Sequence, residues 1–280
     1  MTSIKYRDIT LITKDINKAI NELYTLDTFD EGAVERIYQD IRDTLIETNV
    51  YSSDHIIDAI QIVAKYNTKY FRSYLRLFKR VLDEYHPKQP KEKSPVFMYF
   101  LYKEYNILAF DTKLEDIKNL ETKNYVMDVH EKNTIFRAIM YDKKDSLLAL
   151  TRRDKYDETL KLKSDFYPES ENGYSLLELS CYHGSINCFR LLINKFKIPI
   201  TRTCLNFSFL GRSSVIMHEC VKKIIPDQDC MKHAIISHND IFVKYLMNKY
   251  CIKINEDFCA KNNNLQALLL VIDQTNNIDQ

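Results

Sequence analysis

The chain has 280 residues, with 45% hydrophobic and 28% charged side chains, enough for two domains of the usual ~100–200 residues and a packed core. Forty basic against 39 acidic residues leave a net charge of +1, which gives no overall pull toward nucleic acid or an anionic membrane. There are only 4 glycines, where average usage of ~7% would give roughly 20; this excludes Gly-rich phosphate loops and dinucleotide fingerprints and argues against turn-rich sandwiches and barrels.

Taken from its start, Met1-Thr2-Ser3-Ile4-Lys5-Tyr6-Arg7-Asp8 lacks the basic-then-apolar pattern of a secretory signal. Thr2 stands where N-myristoylation requires glycine. No run approaches the ~20 apolar residues of a membrane-spanning helix. An intracellular location, cytoplasmic or nuclear, is the expectation.

Four segments of the N-terminal half carry the 3.6-residue period of amphipathic helices. The first runs from about Ile9 to Leu26, with Ile9, Ile12, Ile16, Ile20 and Leu23 on one face. The second runs from about Glu31 to Thr48 and turns Val34, Ile37, Ile41, Leu45 and Ile46 inward. The third follows the capping cluster Ser52-Ser53-Asp54 and carries Ile56, Ile57, Ile60 and Val63. The fourth, about 68–86, aligns Phe71, Tyr74, Leu75, Phe78, Val81 and Leu82. Short connections predict an antiparallel bundle over residues 1–86. The fourth helix also carries Lys69, Arg72, Arg76 and Lys79 as a basic stripe, beside Asp83 and Glu84. Such a stripe is either a solvated face or a site for anionic lipid or nucleic acid.

Residues 87–95 hold Pro87, Pro90 and Pro95 among alternating charges. Proline breaks helices by removing a donor and clashing with the preceding turn, so this stretch is the expected linker. Residues 96–280 then form the second domain.

That second domain repeats. The segment Asn172-Gly173-Tyr174-Ser175-Leu176-Leu177-Glu178-Leu179-Ser180-Cys181-Tyr182-His183-Gly184, continuing to Leu191-Leu192, resembles an ankyrin repeat. Asn172-Gly173 would form its hairpin turn, Ser175-Leu176-Leu177-Glu178 falls where the family has T-P-L-H, and Gly184 ends the first helix. The same frame predicts helix pairs around 134–150, 175–194, 203–222, 230–248 and 256–272. Close packing of first helices demands one small residue in each, here Ala138, Ser180, Ser208, Ala234 and Cys259. The first interval is longer than the rest and implies an insertion near Asp154–Glu171. No pair can bury its own apolar face, so the pairs stack into a solenoid. The predicted class is all-α, a helical bundle followed by degenerate ankyrin-type repeats.

The stretches Asp128–Met140, Gly173–Gly184, Ile200–Gly211 and Cys230–Asn239 make the whole chain similar to protozoan ankyrin-repeat proteins that carry a domain of unknown function ahead of the array. The resemblance implies a protein-interaction role, a protein partner and no catalytic residues. Such proteins usually continue into further repeats, and no polar terminal repeat is evident before Gln280, which suggests a short member or a fragment. On an ankyrin-type surface the exposed candidates for partner binding are Tyr174, Tyr182, His183 and Ser237.

Catalytic and metal-binding readings each have candidate residues. An enzyme would need Cys181 or Cys188 with His183, but Cys181 and His183 are two apart and face different sides of a helix. A metal at His233 and His238 misses the i, i+4 spacing of H-E-x-x-H. All seven cysteines lie at or beyond Cys181 and none forms a C-x-x-C pair, so they read as reduced, buried packing residues. The expectation is a non-enzymatic scaffold with no cofactor, metal or small-molecule substrate, and with anionic-surface binding through the 68–86 stripe as the alternative.

Overall fold

In the computed structural model, which describes residues 6–153, 157 and 159–275, nearly every regular element is a helix. The all-α class is therefore correct. The one sheet among the described residues is a two-residue antiparallel pair, β1 (Lys161–Leu162) with β2 (Tyr174–Ser175).

The N-terminal helices follow their apolar spacing, with local departures. Helix α1 (Tyr6–Ile12) and helix α2 (Lys14–Tyr24) part at Thr13, whose Oγ1 donates to the Ile9 carbonyl at 2.8 Å, a back-bond that bends helices. Ile12 is 74% exposed, so the expected stripe buries only from Ala19, Ile20 and Leu23 onward. In α3 (Glu31–Ile41), Asp30 caps the first turn by accepting from the Ala33 N–H at 2.7 Å. A π turn, Arg42–Ile46, continues α3, and Tyr38, Ile41 and Leu45 are fully enclosed, with Ile37 only partly covered. Ser52 caps α4 (Ser53–Tyr66) as expected, accepting from the His55 N–H. α5 (Phe71–Tyr85) buries Phe71, Tyr74, Leu75, Phe78 and Val81, with Leu82 half-buried. α6 (Pro95–Tyr105) starts on a proline, where no N–H is needed; its Phe97 meets Phe71 edge-on at 5.0 Å. α7 (Leu114–Glu121) follows.

The expected linker is strapped to α4. The backbone N–H of Gln89 donates to Asp54, and those of Lys91 and Glu92 donate to Asp58. Gln61, 1% exposed, donates to the Glu92 carbonyl and accepts from the Ser94 N–H, both at 2.8 Å. A proline-rich strand has no ladder of its own, and side chains on α4 satisfy its backbone instead. Residues 96–129 accordingly stay with the N-terminal helices. The chain divides into the compact units Met1–Val129 with Asn263–Gln280, and His130–Asn262, not at 87–95.

The second unit is the repeat region. Its helix pairs are α8 (Ile135–Met140) with α9 (Lys144–Arg153), α10 (Leu176–Tyr182) with α11 (Ile186–Asn194), α12 (Arg202–Leu210) with α13 (Ser214–Val221), and α14 (Gln228–Ile236) with α15 (Asp240–Tyr250). α16 (Glu256–Lys261) closes the series. The first helices pack in succession, α8 on α10, α10 on α12, α12 on α14 and α14 on α16. The small positions Ala138, Ser180, Ser208, Ala234 and Cys259 are all buried there.

Four residues after each small position the backbone turns left-handed, at Asp142, Gly184, Arg212, His238 and Asn263, with φ between 51° and 66°. In three of these turns the next N–H closes back on the small residue's carbonyl: Lys143 to Ala138, Ser185 to Ser180 and Asn239 to Ala234. This is the helix-ending motif that glycine usually serves. Fourteen non-glycine residues take positive φ among the described residues, so scarce glycine means turns made by other residues, not few turns.

The expected fifth pair is divided. α17 (Leu265–Thr275) belongs to the first unit. There the Asn263 amide donates to the Tyr24 hydroxyl at 3.1 Å, and its oxygen lies 2.8 Å from His55 Nε2.

Candidate interaction surface

The insertion ahead of the second pair settles where the predicted binding residues lie. It places Phe166 and Tyr167 at 4% and 2% exposure. The Tyr167 hydroxyl is 2.7 Å from His130 Nε2 and 2.9 Å from His183 Nε2. One phenol proton serves one imidazole, and the oxygen accepts from the other. Burial, aided by the Arg137 cation, lowers His130 to about 4, and burial raises the Tyr167 phenol. His130 and Tyr167 are therefore uncharged at neutral pH.

Tyr182 is buried between Tyr167 at 5.1 Å and Phe207 at 5.4 Å. Tyr174 packs on Phe207 at 4.9 Å and donates its hydroxyl to the carbonyls of Pro168 and Glu169. His183 is half-buried against Tyr167. Ser237 is 3% exposed; its hydroxyl donates to the Ala234 carbonyl and its own carbonyl accepts from the Arg212 guanidinium at 2.7 and 3.1 Å. The structure thus gathers Tyr174, Tyr182 and His183 into one covered aromatic cluster and puts Ser237 in a separate turn. These four were expected to be exposed; the insertion covers the first three, and the fourth is spent joining neighbouring repeats.

What faces solvent is the polar edge of the first helices. Six residues before the small position stand Arg202, Gln228 and Lys253, all exposed; two before it stand half-buried Asn206 and Lys232 and exposed Asp257. Asp229 is exposed beside them. Repeat-to-repeat bonds run beneath: the Thr201 hydroxyl donates to Glu178 at 2.7 Å, the Cys230 thiol to Asn206 at 3.3 Å and the Gln228 amide to the Lys253 carbonyl at 3.0 Å.

The residues of the catalytic and metal readings are occupied or enclosed. Cys181 is fully buried with its thiol raised well above the ordinary range by burial, and burial pushes Cys188 up to about 12. Both are held as thiols, not the nucleophilic thiolates. His233 Nδ1 lies 2.7 Å from the Asp229 carbonyl and His238 Nε2 lies 2.9 Å from that of Asn262. No group of three His, Cys, Asp or Glu side chains among the described residues is placed to hold a metal ion. On α5, Arg72 pairs with Asp128 at 3.0 Å, Arg76 with Glu31 and Lys79 with Asp83, while Lys69 lies over the Tyr70 ring.

A second feature escaped the sequence. On the first helix pair, Lys132, Arg137, Lys143 and Arg153 converge on a cleft of about 560 Å³. Their spacing alone reads as scattered surface charge; only the α8–α9 turn brings them together.

Residues 186–271 match a family model described as a domain of unknown function, DUF3447. The match runs from the start of α11 into α17 and so covers most of the later helix pairs. No curated protein and no solved structure matches the chain. No helix among the described residues is long and apolar enough to cross a membrane.

Proposed function

We propose that the chain is a non-enzymatic, ankyrin-type scaffold that binds a protein partner along the polar edge of its stacked first helices. The observation that carries this reading is the recurrence of polar side chains at fixed frame positions, the exposed Arg202, Gln228 and Lys253 in one column and the half-buried Asn206 and Lys232 with exposed Asp257 in another. A surface repeated over successive helices offers an extended contact, which is how solenoids engage partners. The alternative, an adaptor for anionic surfaces through α5, has less behind it, because Arg72, Arg76 and Lys79 already meet carboxylates within the chain.

The test is affinity capture from the source cell with the full chain and with the triple variant Asp229→Lys, Lys232→Glu, Asp257→Lys. The expected result is loss of a co-purifying protein by tenfold or more with unchanged circular dichroism. Equal recovery of the same protein by both forms counts against this surface.

A further inference from the structure

We propose that the basic cleft on the α8–α9 pair binds an acidic peptide segment, one with carboxylates on either side of an apolar side chain. The proposal rests on the scaffold reading and adds to it a second site with its own partner chemistry.

The cleft follows from where the stack begins. Helices α10, α12 and α14 each pack a first helix on both sides, whereas α8, besides its partner α9, packs on the first helix α10. The small residue that admits a neighbouring helix is wholly covered at Ser180, Ser208 and Ala234. Its counterpart Ala138 instead lines the cleft, together with Leu150 and the half-buried Tyr141 ring. The volume of about 560 Å³ lies within the ~300–1,000 Å³ of ligand clefts.

Four cations stand on the rim, among the neutral Asn133, Thr134 and Ser146. Lys132, Lys143 and Arg153 are exposed, and the Arg137 guanidinium is held by donating to the His130 carbonyl at 2.8 Å and stacking 5.1 Å from the Tyr141 centroid. No carboxylate is among the described residues that line the cleft. The nearby Asp142 is directed elsewhere, accepting from the backbone N–H groups of Asn187 and Cys188 at 3.2 and 2.9 Å. In a chain of net charge +1, the exposed Lys132 and Lys143, with two guanidinium groups beside them, set positive charge on one concave site, which attracts anions. The apolar floor selects among them. A small inorganic anion meets the rim alone, while a peptide with flanking carboxylates also covers Ala138 and Leu150.

The experiment is fluorescence anisotropy on the full chain with fluorescein-labelled acetyl-Glu-Asp-Leu-Glu-Asp-amide, and with the neutral peptide carrying Gln and Asn in place of the acids. The acidic peptide should bind at least tenfold tighter, lose affinity steeply as salt rises, and weaken severalfold when its Leu is replaced by Ser. The double variant Lys143→Glu, Arg153→Glu, both at exposed side chains, should lose tenfold or more. Ala149→Trp, which fills the cleft from an exposed position without touching a charge, should produce a similar loss. Equal binding of the two peptides, or full binding by both variants, overturns the proposal. Displacement of the peptide by inorganic triphosphate at lower concentration than by unlabelled peptide also overturns it and gives the cleft to a phosphate ligand. If the cleft fails while the Asp229, Lys232 and Asp257 changes still abolish capture, the scaffold reading stands without it.

Discussion

The two units are both helical, yet they are held in different ways. In the first, polar contacts link residues far apart in the chain: Tyr74 donates to the Leu23 carbonyl, Asn67 to that of Leu26, Arg80 pairs with Glu35, and Asn263 reaches Tyr24 across 239 positions. In the second, the cross-repeat bonds beyond the insertion recur at a separation of about a repeat: 23 for Thr201 to Glu178, 24 for Cys230 to Asn206 and for His238 to Asn262, and 25 for Arg212 to Ser237. The first unit therefore depends on closing long loops, including one that brings back the end of the described chain, whereas the second needs only neighbours. An apolar 3.6-residue period is common to both and does not distinguish them.

Three perturbations should separate the units, in decreasing size. Gly211→Ala should cost the repeat unit more than about 4 kcal/mol, because a Cβ there would overlap the Cys181 carbonyl and press on the Gly184 nitrogen, both backbone atoms. Hydrogen exchange should show protection lost in α10–α14 and kept in α3–α5; equal loss in both would mean they unfold together. Leu269→Ala removes a side chain 2% exposed in α17 and should cost about 2–4 kcal/mol. Its exchange effect should fall on the N-terminal helices, although the residue directly follows the last repeat in sequence. Loss confined to α14–α16 would break the assignment of α17.

The third is acidification. His130 titrates near 4 and His238 near 3 in the fold, chiefly because burial disfavours their charged forms. Both lie below the ordinary value of 6.5. Their contribution is complete above that value and is lost as pH falls from 6.5 toward 4, since the unfolded chain takes up protons first. For His130 this is about 2 kcal/mol at pH 5. Urea midpoints at pH 7 and pH 5 should show the drop in the repeat unit, and His130→Phe should reduce it, leaving the His238 share. An unchanged slope in that variant would remove His130 as the cause.

Local chemistry was legible in advance where it is decided locally. Ser52 caps α4, Phe71 to Val81 form the buried face of α5, and the small positions from Ala138 to Cys259 mark the repeat frame. What stayed hidden depends on partners distant in sequence. Nothing about Pro87 to Pro95 announces that Asp54, Asp58 and Gln61 will hold it. Tyr182 and His183 sit where an exposed surface is expected until Tyr167, from an insertion with no counterpart in the other repeats, lies across them. α17 has the period of a repeat helix, and periodicity carries no information about which unit receives it. The basic cleft was hidden for the same reason, since Lys132 and Arg153 are 21 positions apart and meet only through the α8–α9 turn.

The left-handed residue that ends each first helix also fits its successor individually. Asp142 caps α11, Gly184 lies against the Gly211 carbonyl, Arg212 grips the Ser237 carbonyl and His238 faces that of Asn262. The units are consequently not interchangeable. Copying or shuffling one would set an arginine where two backbones must touch, or a glycine where a guanidinium bridges a gap. Such an array keeps its order, and it diversifies by changing side chains on its surface, not by trading modules.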